Sequence, residues 1–417
     1  MIGTQRKRPV RRRRGLGRFG AGLIALSACA GLAPASERAS EIVAGKVLQP
    51  DGTWRESAAV RLDRSGRIAS VTDSDDQAPR GASAGAHVYR DAYLTPGLIE
   101  LASQIGLAAN ASEQTSPDQM DLSAGAVFDP FDRDSIAALR AGITSAMIVP
   151  TPRAPLAGRA SVVRTAPGEG GRADVVKLDS AGVFSVAPGV TNTLFGPTSR
   201  AGAMGMIRDA VGQARRGEGD AFIRAALGRE AGCVVIGLTA DDVFTILGPF
   251  ELAGVVPTVV LREETLDLAL AMGEEIAETG YRFIVGQFGL SDRPETLAGP
   301  GVLAGFGGVL GFAGGTSADD PDALRRGVAL ATRYGLDPAA ARRALTSDAA
   351  RIAGVADRLG SIERGRDADL VVWSHDPLRP DARVIAVYVE GRRVYAAETD
   401  AATIDGWDDR AGRRQQR

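Results

Sequence analysis

The feature that most constrains the fold of this chain is a regular alternation of two kinds of segment over residues 93–360. Short apolar runs of strand length alternate with longer stretches whose apolar residues recur at helical spacing. Such alternation is typical of a parallel sheet covered by helices, and about 250 residues are enough for a TIM-like (β/α)8 barrel. We therefore predict the α/β class. The candidate strands are residues 93–101, 142–150, 233–238, 257–261, 282–288 and 308–314, and the candidate helices are residues 132–142, 199–216, 241–254, 264–280 and 322–335.

Both ends of the chain are rich in short alternating strands. Residues 41–92 contain three such strands separated by turn signals, and residues 361–398 contain strands and a hairpin that turns at Glu390 and Gly391. Neither piece has enough strands for a stable sheet pair of its own. We therefore expect the two pieces to form one small composite β-sandwich beside a barrel of residues 93–360, with a polar tail over residues 399–417.

Residues 1–35 have the pattern of an export signal. They hold eight basic residues and no acidic ones, and the apolar run 19–33 is too short to span a bilayer. The segment Leu26–Cys29 resembles a lipoprotein cleavage site, with Cys29 as the lipidated residue, whereas Ala33–Ala35 fits an ordinary signal peptidase. The alternative is a basic tail that follows a wrongly assigned start. We expect an exported protein, periplasmic or attached to the envelope, with membrane contact only through a lipid anchor.

The charge balance of the rest of the chain argues against a nucleic-acid partner. The whole chain has a net charge of −2, so without the eight basic residues of the signal the remainder carries −2 − 8 = −10. An acidic body does not attract nucleic acid or anionic membranes. Cys233 is the one cysteine besides Cys29, and its apolar surroundings in the sequence indicate a core residue rather than a nucleophile.

Four segments of the chain carry a resemblance to a known family. "DAYLTPGLIE", "ALRAGITSAMIVP", "LTSDAARIAGVADRLGSIERGRDADLVVWSHDPL" and "VYVEGRRV" resemble the amidohydrolase superfamily, especially its imidazolonepropionase-like branch. The resemblance covers most of residues 41–398 and is most specific in "GSIERGRDADLVVW". It implies a (β/α)8 barrel with a composite β-sandwich, and hydrolysis of non-peptide C–N bonds by water activated on a divalent metal.

The resemblance also implies where the metal ligands would lie, and the sequence departs from the family at each position. The His-x-His of the first strand falls on Ala102 and Gln104. The next two histidines fall near Ile236 and near Leu261 or Arg262, and the aspartate falls near Gly315. The chain has two histidines in all, and both lie outside the predicted barrel, at positions 87 and 375. We therefore expect no metal, no other cofactor and none of the family's catalytic residues.

Other polar residues remain candidates for a pocket at the barrel mouth. An oxygen-only magnesium or calcium site is one alternative, but most carboxylates there follow a Ser or Thr at a predicted helix start and are better explained as helix caps. Lys177 is better explained by a surface or salt-bridge role than by carbamylation. The pocket candidates are Glu100, Gln104, Arg262, Gln287 and Asp319, and the predicted capping residues are Asp241, Asp242, Asp319, Asp320 and Asp322.

Three functions remain open at this point. The first is a catalytically inactive amidohydrolase-like protein that binds a small molecule, or forms a homo- or hetero-oligomer with a metal-bearing relative. The second is an active hydrolase of cyclic amides or similar compounds with a rebuilt site that uses no histidine. The third is a structural envelope protein without a ligand.

Overall fold

A computed structural model describes residues 38–73, 85–107, 113, 115–187, 189–192, 194–237, 239–261 and 264–397. The predicted export signal with Cys29, the pocket candidate Arg262 and the polar tail lie outside these residues. Within the described ranges, every helix is too short or too polar to cross a membrane.

The two ends of the chain build one mixed sheet of seven strands, as the sequence indicates. Its strand order is β15-β14-β13-β4-β1-β2-β3, and the parallel pairing of β1 with β4 is flanked by antiparallel pairs. Ile68 of β3 and Tyr388 of β14 lie at distant positions in this order and share one apolar core, so the sheet folds over onto itself. Its strands, numbered along the chain, are β1 Glu41–Leu48, β2 Trp54–Leu62, β3 Ile68–Asp73, β4 Ala86–Pro96, β13 Leu370–Trp373, β14 Val384–Val389 and β15 Arg392–Ala396.

The middle of the chain forms an eight-stranded sheet that curls into a nearly closed barrel. Consecutive strands are neighbours from β5 to β12, and β12 lies in contact with β5. The α/β barrel class is therefore confirmed. The strands are β5 Leu98–Ser103, β6 Ile143–Ile148, β7 Leu156–Arg164, β8 Asp174–Ser185, β9 Gly232–Ile236, β10 Thr258–Leu261, β11 Arg282–Val285 and β12 Val309–Phe312.

One strand of the barrel runs against the others. β7 pairs antiparallel with both β6 and β8, whereas the remaining neighbours are parallel. The link from β6 to β7 contains Pro150, Pro152 and Pro155 and leaves no room for a helix. A β-meander therefore replaces one β/α unit, and neither β7 nor β8 was predicted from the sequence.

Helices flank the barrel strands, and those over residues 133–140, 200–215, 240–251 and 323–333 lie close to the predicted positions. The helices over residues 221–227, 294–305, 338–345 and 347–353 were not predicted, and the last of them contributes side chains to the cluster inside the barrel. The predicted helix over residues 264–280 is divided at Met272, whose backbone departs from helical geometry. The helices are α1 Arg133–Arg140, α2 Arg200–Arg215, α3 Ala221–Leu227, α4 Ala240–Glu251, α5 Thr265–Ala271, α6 Gly273–Thr279, α7 Pro294–Gly305, α8 Ala323–Arg333, α9 Pro338–Leu345 and α10 Ser347–Ala353.

The barrel strands separate two apolar layers. Ile99, Leu101 and Ile284 belong to a cluster inside the barrel, while Leu98 and Phe283 belong to the larger cluster between strands and helices. Alternate residues of one strand thus point to opposite sides, as a strand requires. The interior of the barrel is packed with aliphatic side chains and is not a polar channel.

A buried arginine links the barrel to the sheet of the chain ends. Arg164, the last residue of β7, is 1% exposed. Its guanidinium reaches Asp369 and Asp367 at 2.7 Å each, and Asp174 at 2.9 Å. Arg358 adds a second cation at 2.7 Å from Asp367. A buried charge needs such partners, because transferring the charge out of water costs free energy that only ion pairs and hydrogen bonds can offset.

Candidate functional site

The candidate site is the barrel mouth, where the parallel strands present their carboxyl ends. Ala102 lies near the end of β5, and Gln104 follows that strand directly. Ala102 has a φ of 47°, which non-glycine residues rarely adopt, and it carries no donor atom. The carboxamide of Gln104 is fixed at both ends: its Nε2 donates to the Val149 carbonyl at 2.7 Å, and its Oε1 accepts from Thr151 Oγ1 at 3.0 Å. The side chain of Gln104 is therefore a neutral amide that two hydrogen bonds hold in one orientation.

Two further positions of the mouth are also poor in ligand atoms. Ile236 ends β9 and packs against the apolar cluster inside the barrel. Gly315 lies three residues beyond β12 and has a φ of 66°, a conformation that favours glycine. A Cβ atom at position 315 would overlap the carboxamide of Gln287. A side chain at 315 would therefore require Gln287 to move.

These residues do not fit a divalent metal. Zinc sites are built from imidazole, thiolate and carboxylate groups. Positions 102, 104, 236 and 315 offer only the amide of Gln104. No group of three or more His, Cys, Asp or Glu side chains is placed to hold a metal ion in the part of the chain that the structure describes. His87 lies in β4 with its Nδ1 at 2.5 Å from Tyr388 Oη, and His375 follows β13.

Glu100 is a buried carboxyl beside the mouth. It is 1% exposed, and its Oε1 accepts from Ser103 Oγ at 3.1 Å and from the Thr316 amide at 3.4 Å. Its Oε2 is buried and has no hydrogen-bond partner among the described residues. Burial raises the pKa of Glu100, and the hydrogen bonds from Thr316 and Ser103 only partly oppose this. Its neighbours in β5, Ile99 and Leu101, point into the barrel, so Glu100 lies on the other side of the strand.

Asp319 lies on the surface of the protein. Its side chain is 97% exposed and faces Arg133 of α1 at 4.0 Å. Asp319, Asp320 and Asp322 were predicted to lie at a helix start, and Asp322 is the N-cap of a helix, whereas Asp319 and Asp320 precede it. α8 begins at Ala323, its N-cap Asp322 makes no side-chain cap bond, and Asp320 instead forms an ion pair with Arg326.

The other capping prediction is confirmed. The side chain of Thr239 accepts from the Asp242 amide, and the side chain of Asp242 accepts from the Thr239 amide, which forms a reciprocal capping box at the start of α4. Lys177 lies on β8 at the opposite side of the barrel and donates to the Gly354 carbonyl at 3.1 Å.

An acidic cavity that was not predicted from the sequence lies at the rim of the mouth. A cavity of about 530 Å³ lies beside the segments that follow β10 and β11, with Glu264, Asp267, Asp292 and Glu295 around Arg293. Glu264 accepts from the Ala240 amide at 2.9 Å, at the start of α4. The spacing of these acidic residues gave no signal, because two separate loops bring them together.

Comparison with known proteins agrees with this fold. Residues 293–394 match the model of the amidohydrolase family. The chain is similar to the amidohydrolase tasK of Hapsidospora irregularis, with 43% identity over 58 residues, which is 14% of this chain and 6% of that protein. The match thus spans a small part of the length of that relative.

Solved structures share the architecture over most of the chain. An amidohydrolase from Thermotoga maritima has a TM-score of 0.74 and 23% identity, covering 86% of this chain and 100% of its own. A prolidase complexed with N-methylphosphonate-L-proline has a TM-score of 0.55 and 18% identity, covering 86% and 100%. An adenosine deaminase from Xanthomonas campestris with bound zinc has a TM-score of 0.52 and 18% identity, covering 90% and 99%. Residues 293–394 thus resemble the amidohydrolase family, and the solved structures share the fold of the chain.

Proposed function

We propose that this chain binds a small ligand at its barrel mouth and does not carry out the metal-dependent hydrolysis of the amidohydrolase superfamily. The observation that carries the proposal is the donor set of the mouth. Ala102, Gln104, Ile236 and Gly315 stand where metal ligands are expected, and they provide one neutral amide between them. Without a metal, the bound water has no Lewis acid to lower its pKa.

The chemistry of the rim supports a polar ligand. Four carboxylates and one guanidinium surround the rim cavity, which gives a local charge of 1 − 4 = −3. Gln104 adds an amide whose orientation is fixed by Val149 and Thr151. Such a surface favours a ligand with an ammonium group, such as the free amino end of a dipeptide. Export to the envelope and pairing with a metal-bearing relative remain predictions from the sequence.

The test combines metal analysis, turnover and binding. The purified chain is incubated with zinc, freed of unbound metal and analysed beside the Xanthomonas campestris adenosine deaminase, whose structure holds zinc. Turnover is measured on Xaa-Pro dipeptides, cyclic amides and adenosine, with and without a chelator. We expect substoichiometric zinc and no turnover, together with calorimetric binding of one of the dipeptides that Gln104→Ala weakens.

Two outcomes would overturn the proposal. One zinc per chain with turnover that a chelator abolishes would show an active metallohydrolase. Turnover that survives the chelator and is lost in Gln104→Ala or Gln287→Ala would show a rebuilt, metal-free hydrolase.

A further inference from the structure

A second cavity lies at the opposite opening of the barrel. It has a volume of about 360 Å³, within the range of roughly 300–1,000 Å³ that small-molecule sites span. Gly232, Thr258 and Arg282, the first residues of β9, β10 and β11, line it. This cavity is therefore at the amino ends of the strands and is separate from the mouth.

Three cations converge on this cavity. Lys177, Arg229 and Arg282 line it together with one carboxylate, Glu230, for a local charge of 3 − 1 = +2. The net charge of the cavity lining is positive, although the chain beyond its basic N-terminal segment is strongly acidic. None of the three cations forms an ion pair with a carboxylate among the residues that the structure describes.

Two of these cations are held in place without using all their donors. Lys177 Nζ donates to the Gly354 carbonyl at 3.1 Å, and Arg229 Nη2 donates to the Gly254 carbonyl at 3.4 Å. An ammonium has three donors and a guanidinium has five, so further donors are available. The side chain of Arg282 makes neither an ion pair nor a hydrogen bond to any other described residue.

The inner wall of the cavity is apolar. Ala181, Val234 and Ile352 line it and belong to the cluster inside the barrel. Cys233 also lines it, and burial raises the pKa of its thiol to about 12, so that the group is neutral at physiological pH. The cavity therefore combines a cationic rim with an uncharged inner wall.

We propose that this cavity binds a small organic anion, a carboxylate with a short aliphatic chain, whose carboxylate contacts Lys177 and Arg282 and whose chain packs on Ala181, Val234 and Ile352. Arg282 supplies a guanidinium whose paired donors match the geometry of a carboxylate. The aliphatic part gains free energy by leaving water. This site is independent of the function proposed for the mouth.

The test compares four probes of matched design on the full chain. Hexanoate has both features, hexanol lacks the charge, hexylamine reverses it, and inorganic phosphate lacks the aliphatic part. Isothermal titration calorimetry at low salt is expected to show hexanoate binding at least roughly tenfold more tightly than the other three, with affinity falling as salt is added. Equal affinity for hexanol or hexylamine would overturn the proposal, and so would preferential binding of phosphate.

Variants locate the binding. Arg282→Gln and Lys177→Gln are each expected to weaken hexanoate binding roughly tenfold, because each removes a charged hydrogen-bond donor. Arg333→Gln, which changes an exposed arginine at the end of α8, is the matched control and should leave the affinity unchanged. Circular dichroism verifies that each variant is folded. Wild-type affinity in both site variants would overturn the assignment.

Discussion

Glu100 is a buried side chain of the barrel whose hydrogen-bonding capacity is only partly satisfied by the described residues. The carboxyl is buried, and one of its oxygens has no partner among the described residues. A buried charge without full hydrogen bonding is costly, and the protein relieves that cost by favouring the protonated form, which is why burial raises the pKa of Glu100. The residue therefore makes the stability of the fold depend on pH.

The direction of this dependence follows from the raised pKa. The folded state holds the Glu100 proton more tightly than the unfolded chain, where the pKa is about 4.3. The contribution of Glu100 is fully present below that pH and is lost as the pH rises through the folded-state pKa. We expect Glu100→Gln to raise the free energy of unfolding by about 1–3 kcal/mol at pH 7 and to have little effect near pH 4. Urea denaturation over this pH range measures it.

Asp319→Asn is the matched control, because this carboxyl is almost fully exposed. It should leave the pH dependence of stability as in the wild type. A Glu100→Gln variant whose stability falls with pH as steeply as that of the wild type would contradict the prediction.

At the scale of elements, the antiparallel strand β7 is the part of the barrel that departs most from a regular (β/α)8 pattern. Its last residue, Arg164, is surrounded by carboxylates from β8 and from the chain-end segment that holds Asp367 and Asp369. Asp369 is 4% exposed, so burial raises the pKa of its carboxyl, and the positive charge of Arg164 opposes this effect. Through the ion pairs of Arg164 with Asp367 and Asp369, β7 links the barrel to the chain-end sheet.

Removal of the cation at this junction should be severe. Arg164→Met keeps much of the aliphatic volume but leaves Asp369 and Asp174 without their principal partner. We expect a loss of about 3–5 kcal/mol in the free energy of unfolding, measured by urea denaturation. Arg61→Met is the comparison, since the side chain of Arg61 is 64% exposed where it pairs with Glu41, and the substitution should cost about 0–1 kcal/mol. Similar losses in the two variants would show that the junction is not held by Arg164.

Much of the fold could be predicted from the sequence, because the pattern of apolar and polar residues within a segment indicates its secondary structure and its burial. The alternating segments predicted the barrel, and "GRDADLVVW" marked the C-terminal part, where Asp367 and Asp369 serve the junction just described. The arginine in β7 could not be placed in the same way. Its partners Asp367 and Asp369 follow about 200 residues later, and nothing near it in sequence indicates that a charged residue is buried.

The sequence was sufficient to predict that the candidate site lacks the metal ligands, but it was not sufficient to predict the geometry of the site. Two histidines, both outside the barrel strands, already rule out the expected donor set. The overlap between Gln287 and a side chain at position 315, and the left-handed backbone of Ala102, depend on loop geometry that spacing does not encode. The cavity at the amino ends of the strands is formed by segments far apart in the chain, so its cations could not be grouped from sequence.

The two sheets should unfold as one unit. The described residues between 38 and 397 cluster as a single compact unit, and Trp373 of the chain-end sheet packs against Gly142, which precedes β6 of the barrel. Trp54 and Trp373 both lie in the chain-end sheet, whereas the helices all belong to the barrel. The third tryptophan, Trp407, lies outside the described residues. In a Trp407→Phe background, tryptophan fluorescence therefore follows the chain-end sheet, and the helical signal in far-ultraviolet circular dichroism follows the barrel. In the otherwise wild-type protein we expect the two urea transitions to coincide.

In Arg164→Met the fluorescence transition should move to lower urea than the dichroism transition, because the sheet loses its charged link to the barrel. Separate transitions in the otherwise wild-type protein, or coincident ones in the variant, would show that apolar contacts such as that of Trp373 couple the sheets without help from Arg164.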